Sequence, residues 1–222
     1  MVYLPAHFRA DNPQTPIEVI RRAPLATLIT RDGEDIVANH IPLQYREGTS
    51  EHGTLIGHVA RANDLWRTSQ GKRDVLAVFQ SADAYISPNW YPSKFIAHEA
   101  VPTWNCVVVH AYGQLLVHDD PKWIRGVVGR LTKAMESPMP SPWKMADAPA
   151  EYMEGMIATI VGIEIEITRV VTKIKANQNR SAEDRAGVVT ALGSAERSAD
   201  REIAGWVSSP DGLPATSQAP RG

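Results

Sequence analysis

The sequence predicts a mainly β fold of the α+β class: a small antiparallel barrel of six or seven strands with helices packed outside it. Short β-branched runs recur between turn signals through the first half of the chain, as they do in small antiparallel barrels. Two segments with helical spacing follow in the second half. The strands and helices do not alternate as βαβ units, so a doubly wound nucleotide-binding fold is not expected.

The first half of the chain supplies most of the predicted strands. Residues 13–22 are predicted to form a short helix, and residues 26–45 a β-hairpin. Gly33, after Asp32, accepts the positive φ that a tight hairpin turn needs. Pro42 cannot donate to a ladder, so the second strand of the hairpin is expected at a sheet edge or bulge. Further strands are predicted at residues 54–59, 75–80, 84–87 and 105–118, with a turn at 81–83 and the last strand central.

The second half of the chain begins with helices. Asp120 followed by Pro121 predicts a helix start, because a side-chain acceptor at the cap and proline in the first turn both favour one. A second helix is predicted at residues 150–160, and residues 162–168 alternate isoleucine with polar residues, as in a half-exposed strand. Ser181 is predicted to cap a last helix towards Leu192. Residues 193–222 contain few apolar side chains and are predicted to be a flexible tail, so the domain is expected to span residues 1–192.

The composition argues against several classes of protein. The 222 residues carry a formal net charge of -2 without clustered Lys and Arg, so nothing indicates a DNA-binding surface. The single cysteine, Cys106, rules out an internal disulfide. No signal peptide or membrane-length apolar run is visible, and a cytoplasmic protein is expected.

Residues 57–63 are the first candidate binding segment. A strand end, the cation Arg61 and the potential helix cap Asn63 follow one another there, an order that suits an anion such as phosphate. The alternative is a solvated arginine beside an ordinary cap. Residues 90–94 and 101–105 concentrate aromatic and polar side chains in predicted loops. These segments suit either a wall for a flat cofactor or a dimer interface.

Together, these segments resemble a known family. Tyr3–Phe8, Pro24–Leu28, Ala38–Leu43, Gly57–Asn63, Ala84–Pro88, Trp90–Lys94, Val101–Asn105, Val109–Gly113 and Gln178–Arg180 occur in an order similar to that of the PaiB family. That family is described as FMN-binding negative transcriptional regulators and belongs to the FMN-binding split-barrel group, which includes pyridoxamine-phosphate oxidase. The resemblance covers about residues 2–190.

The resemblance implies a six-stranded, Greek-key-like FMN-binding split barrel that pairs as a homodimer with FMN at the interface. By analogy, residues 39–43 would run beside the isoalloxazine, and Arg61 and Asn63 would meet the phosphate. Residues 104, 105 and 178–180 would close the site, from the partner chain in one arrangement. The implied cofactor-binding residues are Asn39, His40, Ile41, His58, Val59, Arg61, Asn63, Trp90, Lys94, Thr103, Trp104, Asn105, Gln178 and Arg180.

Three functions remain open from the sequence. The family implies a flavin-binding regulator, although the charge predicts weak or absent DNA binding. An FMN-dependent oxidoreductase is the second, with no catalytic residue identified and His40 and His58 as candidates by location. The third is a haem enzyme resembling the PaiB-like piperazate synthases, with His58 as the iron ligand. No metal-binding spacing motif occurs otherwise.

Overall fold

A computed structural model describes residues 3–48, 50–68 and 73–209. The chain divides into two compact units, each described by itself below. Unit 1 comprises Met1–Arg22, Gln80–Val109 and Val171–Gly222, and unit 2 comprises Ala23–Phe79 and His110–Val170.

The elements follow the predicted order. The strands are β1 (Leu25–Asp32), β2 (Asp35–Pro42), β3 (Gln44–Arg46), β4 (Thr54–Ala60), β5 (Arg73–Ile86), β6 (Thr103–His118) and β7 (Ile160–Lys175). The helices are α1 (Gln14–Arg22), α2 (Leu65–Thr68), α3 (Lys94–Ala97), α4 (Pro121–Glu136), α5 (Ala150–Ala158), α6 (Ala182–Gly193) and α7 (Ser198–Ser208). Single 3₁₀ turns occur at Ala6–Phe8, Pro88–Trp90 and Met145–Asp147. The mainly β architecture with added helices is confirmed.

The strand order is β2-β1-β5-β6-β7-β4-β3. The ladders β1–β2, β1–β5, β3–β4 and β4–β7 are antiparallel, and β6 lies fourth of the seven strands, so its predicted central place is confirmed. The described residues form seven strands rather than the six that the resemblance implies, because β2 ends at Pro42 and β3 begins at Gln44. In the described part of the sheet no ladder joins β2 to β3.

The predicted hairpin forms in unit 2. Asp32 pairs with Asp35 across the turn, and Gly33 has a φ of 58°, a conformation that glycine adopts without a steric penalty. Pro42 closes β2 at one end of the strand order, so the expected edge position is confirmed. β4 pairs with β7 from Thr54↔Glu166 to Ala60↔Ile160.

The predicted turn at residues 81–83 is wrong. β5 continues from Arg73 to Ile86 without interruption. Buried positions fall at 75, 77 and 79 and then at 82, 84 and 86. The buried face therefore changes by one residue where the Ser-Ala-Asp triplet suggested a turn, and the strand absorbs the change.

The predicted flexible tail from residue 193 is wrong for residues 198–208. These residues form α7, which packs on α6 in unit 1. The side chains of Ile203, Trp206 and Val207 are buried, because the few apolar residues of this polar segment fall on one face of the helix. The rest of the predicted tail, from residue 210 onward, lies outside the described residues.

No described helix is both long enough and apolar enough to span a bilayer.

Candidate functional site

The predicted site residues fall into two groups. Residues 39 to 63 of the set lie in unit 2, and residues 90 to 180 lie in unit 1. Within unit 2 the structure brings all of them except Arg61 around one cavity. Within unit 1 each of them contacts other residues of that unit through hydrogen bonds, ring contacts or backbone packing.

The cavity of unit 2 lies between the end of β2 and the end of β4 and is called here the β2–β4 cavity. Its volume is about 310 Å³, at the lower end of the ~300–1,000 Å³ typical of ligand pockets. None of its lining side chains is acidic. They are Asn39, His40, Ile41, Pro42, His58, Val59, Ala60, Asn63 and Ile160.

The backbones of β4 and of the end of β2 pass close together beside this cavity. A Cβ on Gly57 would lie 2.7 Å from the carbonyl oxygen of Pro42, so only glycine lets β4 pass this near the end of β2. β2 is also the last strand of the order on its side. Alternate backbone N–H and C=O groups of an end strand point away from its one ladder partner, which leaves donors and acceptors for a ligand.

Asn63 fixes one side of the cavity. Its amide nitrogen donates to Oδ1 of Asn39 at 2.8 Å, and its Oδ1 accepts the backbone N–H of Leu65 at 2.9 Å. Asn63 therefore bonds the first backbone N–H of α2. The cap position itself is occupied by Asp64, whose carbonyl accepts from the backbone N–H groups of Arg67 and Thr68. However, α2 is a single turn, so its dipole adds little to the anion site predicted from residues 57–63.

His58 carries the least satisfied polar group of the cavity. The side chain is half-buried, and its Nδ1 is buried with no hydrogen-bond partner among the described residues. Burial lowers the pKa of the imidazole below its ordinary value of 6.5. The ring is accordingly neutral at pH 7, with one nitrogen as donor and the other as acceptor. Leaving a buried polar atom unpaired costs roughly 1–3 kcal/mol, a cost that a bound ligand would remove.

Arg61 does not line the cavity. Its Nη1 donates to Asp119 Oδ2 at 3.0 Å and its Nη2 to Asp119 Oδ1 at 2.5 Å, while Nε donates to the carbonyl of Ala158 at 2.8 Å. The hydrogen bond to Asp119 raises the pKa of Arg61, and the same bond lowers the pKa of Asp119. The guanidinium thus ties the end of β4 to the segments before α4 and β7, and its phosphate contact stays a prediction.

A second cavity of about 330 Å³ borders the same histidine and is called here the α4–α5 cavity. Apart from His58, its lining side chains are apolar or aromatic. They are His58, Val128, Trp143, Tyr152, Met153, Met156, Ile157 and Ile160. Sequence reasoning missed it, because the periodicity of α5 indicated only a buried helix face and gave no signal of a cavity beside it.

Two of the predicted residues of unit 1, Asn105 and Arg180, belong to or contact a buried chain of polar side chains. The amide of Asn105 donates to Oδ1 of Asn177, whose own amide donates to the hydroxyl of Tyr91 at 2.8 Å. The guanidinium of Arg180 lies 4.7 Å from the ring centre of Tyr91. Asn177, which the sequence did not single out, has a φ of 60°, a conformation that asparagine tolerates better than most residues.

The remaining predicted residues of unit 1 also have internal partners. Thr103 accepts a hydrogen bond from Lys175, and Lys94 donates to Asn89. Gln178 bonds the backbone at Ala176 and Ile174. The ring of Trp104 meets Tyr85 edge-on at 5.9 Å but is 56% exposed. The carbonyl of Trp90 packs against Gly187. A cofactor role for these residues stays a prediction.

Comparisons with known proteins place this geometry in context. A family model described as "Putative FMN-binding domain" matches residues 2–169. Protease synthase and sporulation protein PAI 2 of Bacillus subtilis is 28% identical over 91% of this chain and 95% of its own length. An uncharacterised protein of Saccharomyces cerevisiae is 32% identical over 63% of this chain and 93% of its own.

The fold is shared with solved structures. The FAD and haem binding protein of Mycobacterium smegmatis superposes with a TM-score of 0.57 at 15% identity, over 80% of this chain and 78% of that one. The resemblance to the PaiB family and the split-barrel fold are thereby confirmed.

Proposed function

The chain belongs to the FMN-binding family whose model covers residues 2–169, and from this premise we propose that it is an FMN-dependent oxidoreductase of the PaiB type with its flavin in the β2–β4 cavity. FMN is the cofactor that the family assigns. The observation that carries the proposal is His58, a half-buried imidazole on the border of a second, apolar cavity. Its Nδ1 has no hydrogen-bond partner among the described residues, and burial lowers its pKa. A protein that only bound FMN, and catalysed no reaction with it, would not need a neutral histidine beside a second cavity.

The donor set of the β2–β4 cavity fits an isoalloxazine. The polar edge of that ring needs donors for its carbonyls and an acceptor for its N–H. Alternate backbone groups of β2 offer both, and the Asn63 amide and the rings of His40 and His58 add side-chain partners. Ile41, Val59 and Ile160 supply apolar contact for the ring faces. The absence of a carboxylate from the lining also suits an anionic cofactor.

The chain's own residues would have three tasks. FMN supplies the capacity to transfer electrons singly or in pairs when bound. Asn39 and Asn63, joined by their 2.8 Å hydrogen bond, would orient the ring. His58, neutral at pH 7, can hold or accept a proton beside a reacting group. Ile41, Val59 and Ile160 would exclude water.

The cofactor assignment is tested by absorption spectroscopy of the purified protein. Flavin bands, and their bleaching by NADH or NADPH without oxygen, are expected. An Asn63→Leu variant should bind FMN at least ~10-fold more weakly, since it removes a hydrogen-bonding group from the cavity. Gln44→Leu, which loses an amide that bonds Arg130 outside the cavity, is the matched control. Flavin affinity that is equal in the two variants would contradict the placement.

We also propose that the protein is a homodimer. Unit 1 exposes large apolar side chains, with Phe95 65%, Ile96 85% and Val101 69% exposed. Phe95 and Ile96 are adjacent on α3 and Val101 follows a few residues later, and exposed apolar side chains that lie together are typical of interaction surfaces. A second copy of the chain is the partner that the resemblance to PaiB implies.

A regulatory role is the second candidate, favoured by the PaiB likeness over nearly the full chain. With a net charge of -2, we propose that any such role acts through a bound small molecule or protein and not through direct DNA contact. A salt-sensitive, sequence-specific gel shift at nanomolar protein would overturn this.

Haem is the alternative cofactor, with His58 as the ligand of the iron. The solved relative from Mycobacterium smegmatis, which binds FAD and haem by its description, shares the fold. A Soret band in place of flavin absorption in the same spectrum would favour haem.

A further inference from the structure

We propose that the α4–α5 cavity is the substrate pocket, and that its substrate is an uncharged aromatic molecule of one or two rings with a hydroxyl or carbonyl group at its edge. The inference rests on the proposed function, because it takes the neighbouring β2–β4 cavity as the flavin site. Nothing in the family description assigns this second cavity.

The lining of the pocket excludes charge. When His58 is neutral, no lining side chain within the described part of the chain carries a formal charge. Bringing an ionised group against Met153, Ile157 and Val128 would strip its hydration without a counter-charge, which is costly. The ligand portion that enters is therefore uncharged.

The residues at the mouth favour an aromatic ligand. Trp143 and Tyr152 are 42% and 59% exposed, and Met156 is 46% exposed, whereas Met153 and Ile157 beneath them are buried. Two aromatic rings and two thioethers offer ring-edge and sulphur contacts to a flat molecule. The volume of about 330 Å³ limits the ligand to a small ring system.

The loop that carries Trp143 is held in place. The backbone N–H of Trp143 donates to Glu136 Oε2 at 2.9 Å, and the backbone N–H of Lys144 donates to Asp147 Oδ2 at 2.8 Å. The first bond ties the loop to the end of α4 at Trp143, and the second closes the start of the 3₁₀ turn Met145–Asp147 that follows. The wall is thus built into unit 2 rather than left to an unanchored side chain.

His58 supplies the polar contact and the link to the flavin site. It lines both cavities, as does Ile160. Its buried Nδ1 lacks a partner within the described structure, so a hydroxyl or carbonyl at the ligand's edge would meet an imidazole able to pair with it. A ligand in the α4–α5 cavity would lie next to the predicted isoalloxazine position.

The test uses the FMN-loaded protein and two probes, 2-naphthol and 2-naphthoate, titrated by calorimetry. We expect 2-naphthol to bind at least ~10-fold more tightly than the carboxylate and to perturb the flavin absorption. Met156→Glu should weaken 2-naphthol binding at least ~10-fold, because it places a carboxylate on the apolar wall. Met139→Glu, at a residue 52% exposed and outside the lining, is the matched control.

A second variant guards against misfolding. Trp143→Ala removes an aromatic wall from a loop and should weaken 2-naphthol binding several-fold with flavin absorption retained. If the protein binds flavin but does not respond to 2-naphthol, the pocket assignment is wrong and the proposed function stands. The same holds if Met156→Glu and Met139→Glu bind 2-naphthol with equal affinity. Binding of 2-naphthol by a protein that takes up no flavin overturns the proposed function and leaves a ligand pocket.

Discussion

His58 shows how one position on a strand acquires chemistry from its surroundings. It lies on β4, where neighbouring residues are buried, and borders two cavities at once. Burial disfavours the imidazolium, so the ring stays neutral where an exposed histidine would begin to protonate. A neutral ring whose Nδ1 has no partner among the described residues can form a hydrogen bond with a ligand, but it does not stabilise the fold through that nitrogen.

The lowered pKa of His58 predicts a pH dependence of stability. Its pKa is below 6.5 in the folded protein and near 6.5 in the unfolded chain. Between these values the unfolded chain binds more protons, so the free energy of unfolding falls as pH drops below about 6.5. Urea unfolding at pH 7.5 and 5.5 should show a smaller loss for His58→Phe than for the unchanged protein. Equal losses would mean that other groups account for the dependence.

Asn177 predicts a backbone effect in unit 1. Its φ of 60° is left-handed, and its side chain bonds Asn105 and Tyr91. Both Asn177→Ala and Asn177→Gly lose these buried bonds, which should cost about 2–3 kcal/mol of unfolding free energy. Alanine should cost about 1 kcal/mol more than glycine, because glycine adopts positive φ without strain. Urea unfolding of the two variants measures this difference, and an alanine variant more stable than the glycine variant would refute the backbone argument.

At the scale of elements, α7 is the clearest case of packing that composition conceals. The segment is rich in charged and small residues, yet Trp206 is only 1% exposed. α7 should therefore contribute to the stability of unit 1 rather than behave as an appendage.

Trp206→Ala is expected to lower the free energy of unfolding by about 3–5 kcal/mol, because it leaves a large cavity. Trp206→Phe, which keeps a ring in the same space, should lose clearly less. Chemical unfolding followed by circular dichroism measures both variants. A tryptophan-to-alanine change that costs less than 1 kcal/mol would show that α7 is only loosely attached.

At the scale of the whole molecule, the proposed homodimer predicts a mass twice the 24.4 kDa of the chain in sedimentation equilibrium. Ile96→Asp should raise the dimer dissociation constant at least ~10-fold, because it places a charge on a face that pairing would dehydrate. Met139→Asp, also exposed, should leave it unchanged. Dimers that are equally tight in both variants would place the interface elsewhere, and a monomer at micromolar concentration would contradict the dimer itself.

The sequence predicted most elements and part of the site. The β1–β2 hairpin, the caps of α4 and α6 and the central place of β6 followed from patterns within a few residues. Asn39, His40, Ile41, His58, Val59 and Asn63 were singled out by the PaiB resemblance, and they do line one cavity. The predicted turn at residues 81–83 was wrong, because residues that are common in loops can continue a strand when the surrounding sheet extends past them.

What the sequence determined by itself is the mainly β order of elements, because period-two alternation, turn glycines and helix caps act over a few neighbouring residues. Only the tertiary structure decided that Arg61 pairs with Asp119, 58 residues away, that α7 is buried, and that α4, α5 and β4 enclose an apolar cavity beside His58. These outcomes depend on which distant surfaces meet and exclude water, and local patterns do not record that choice.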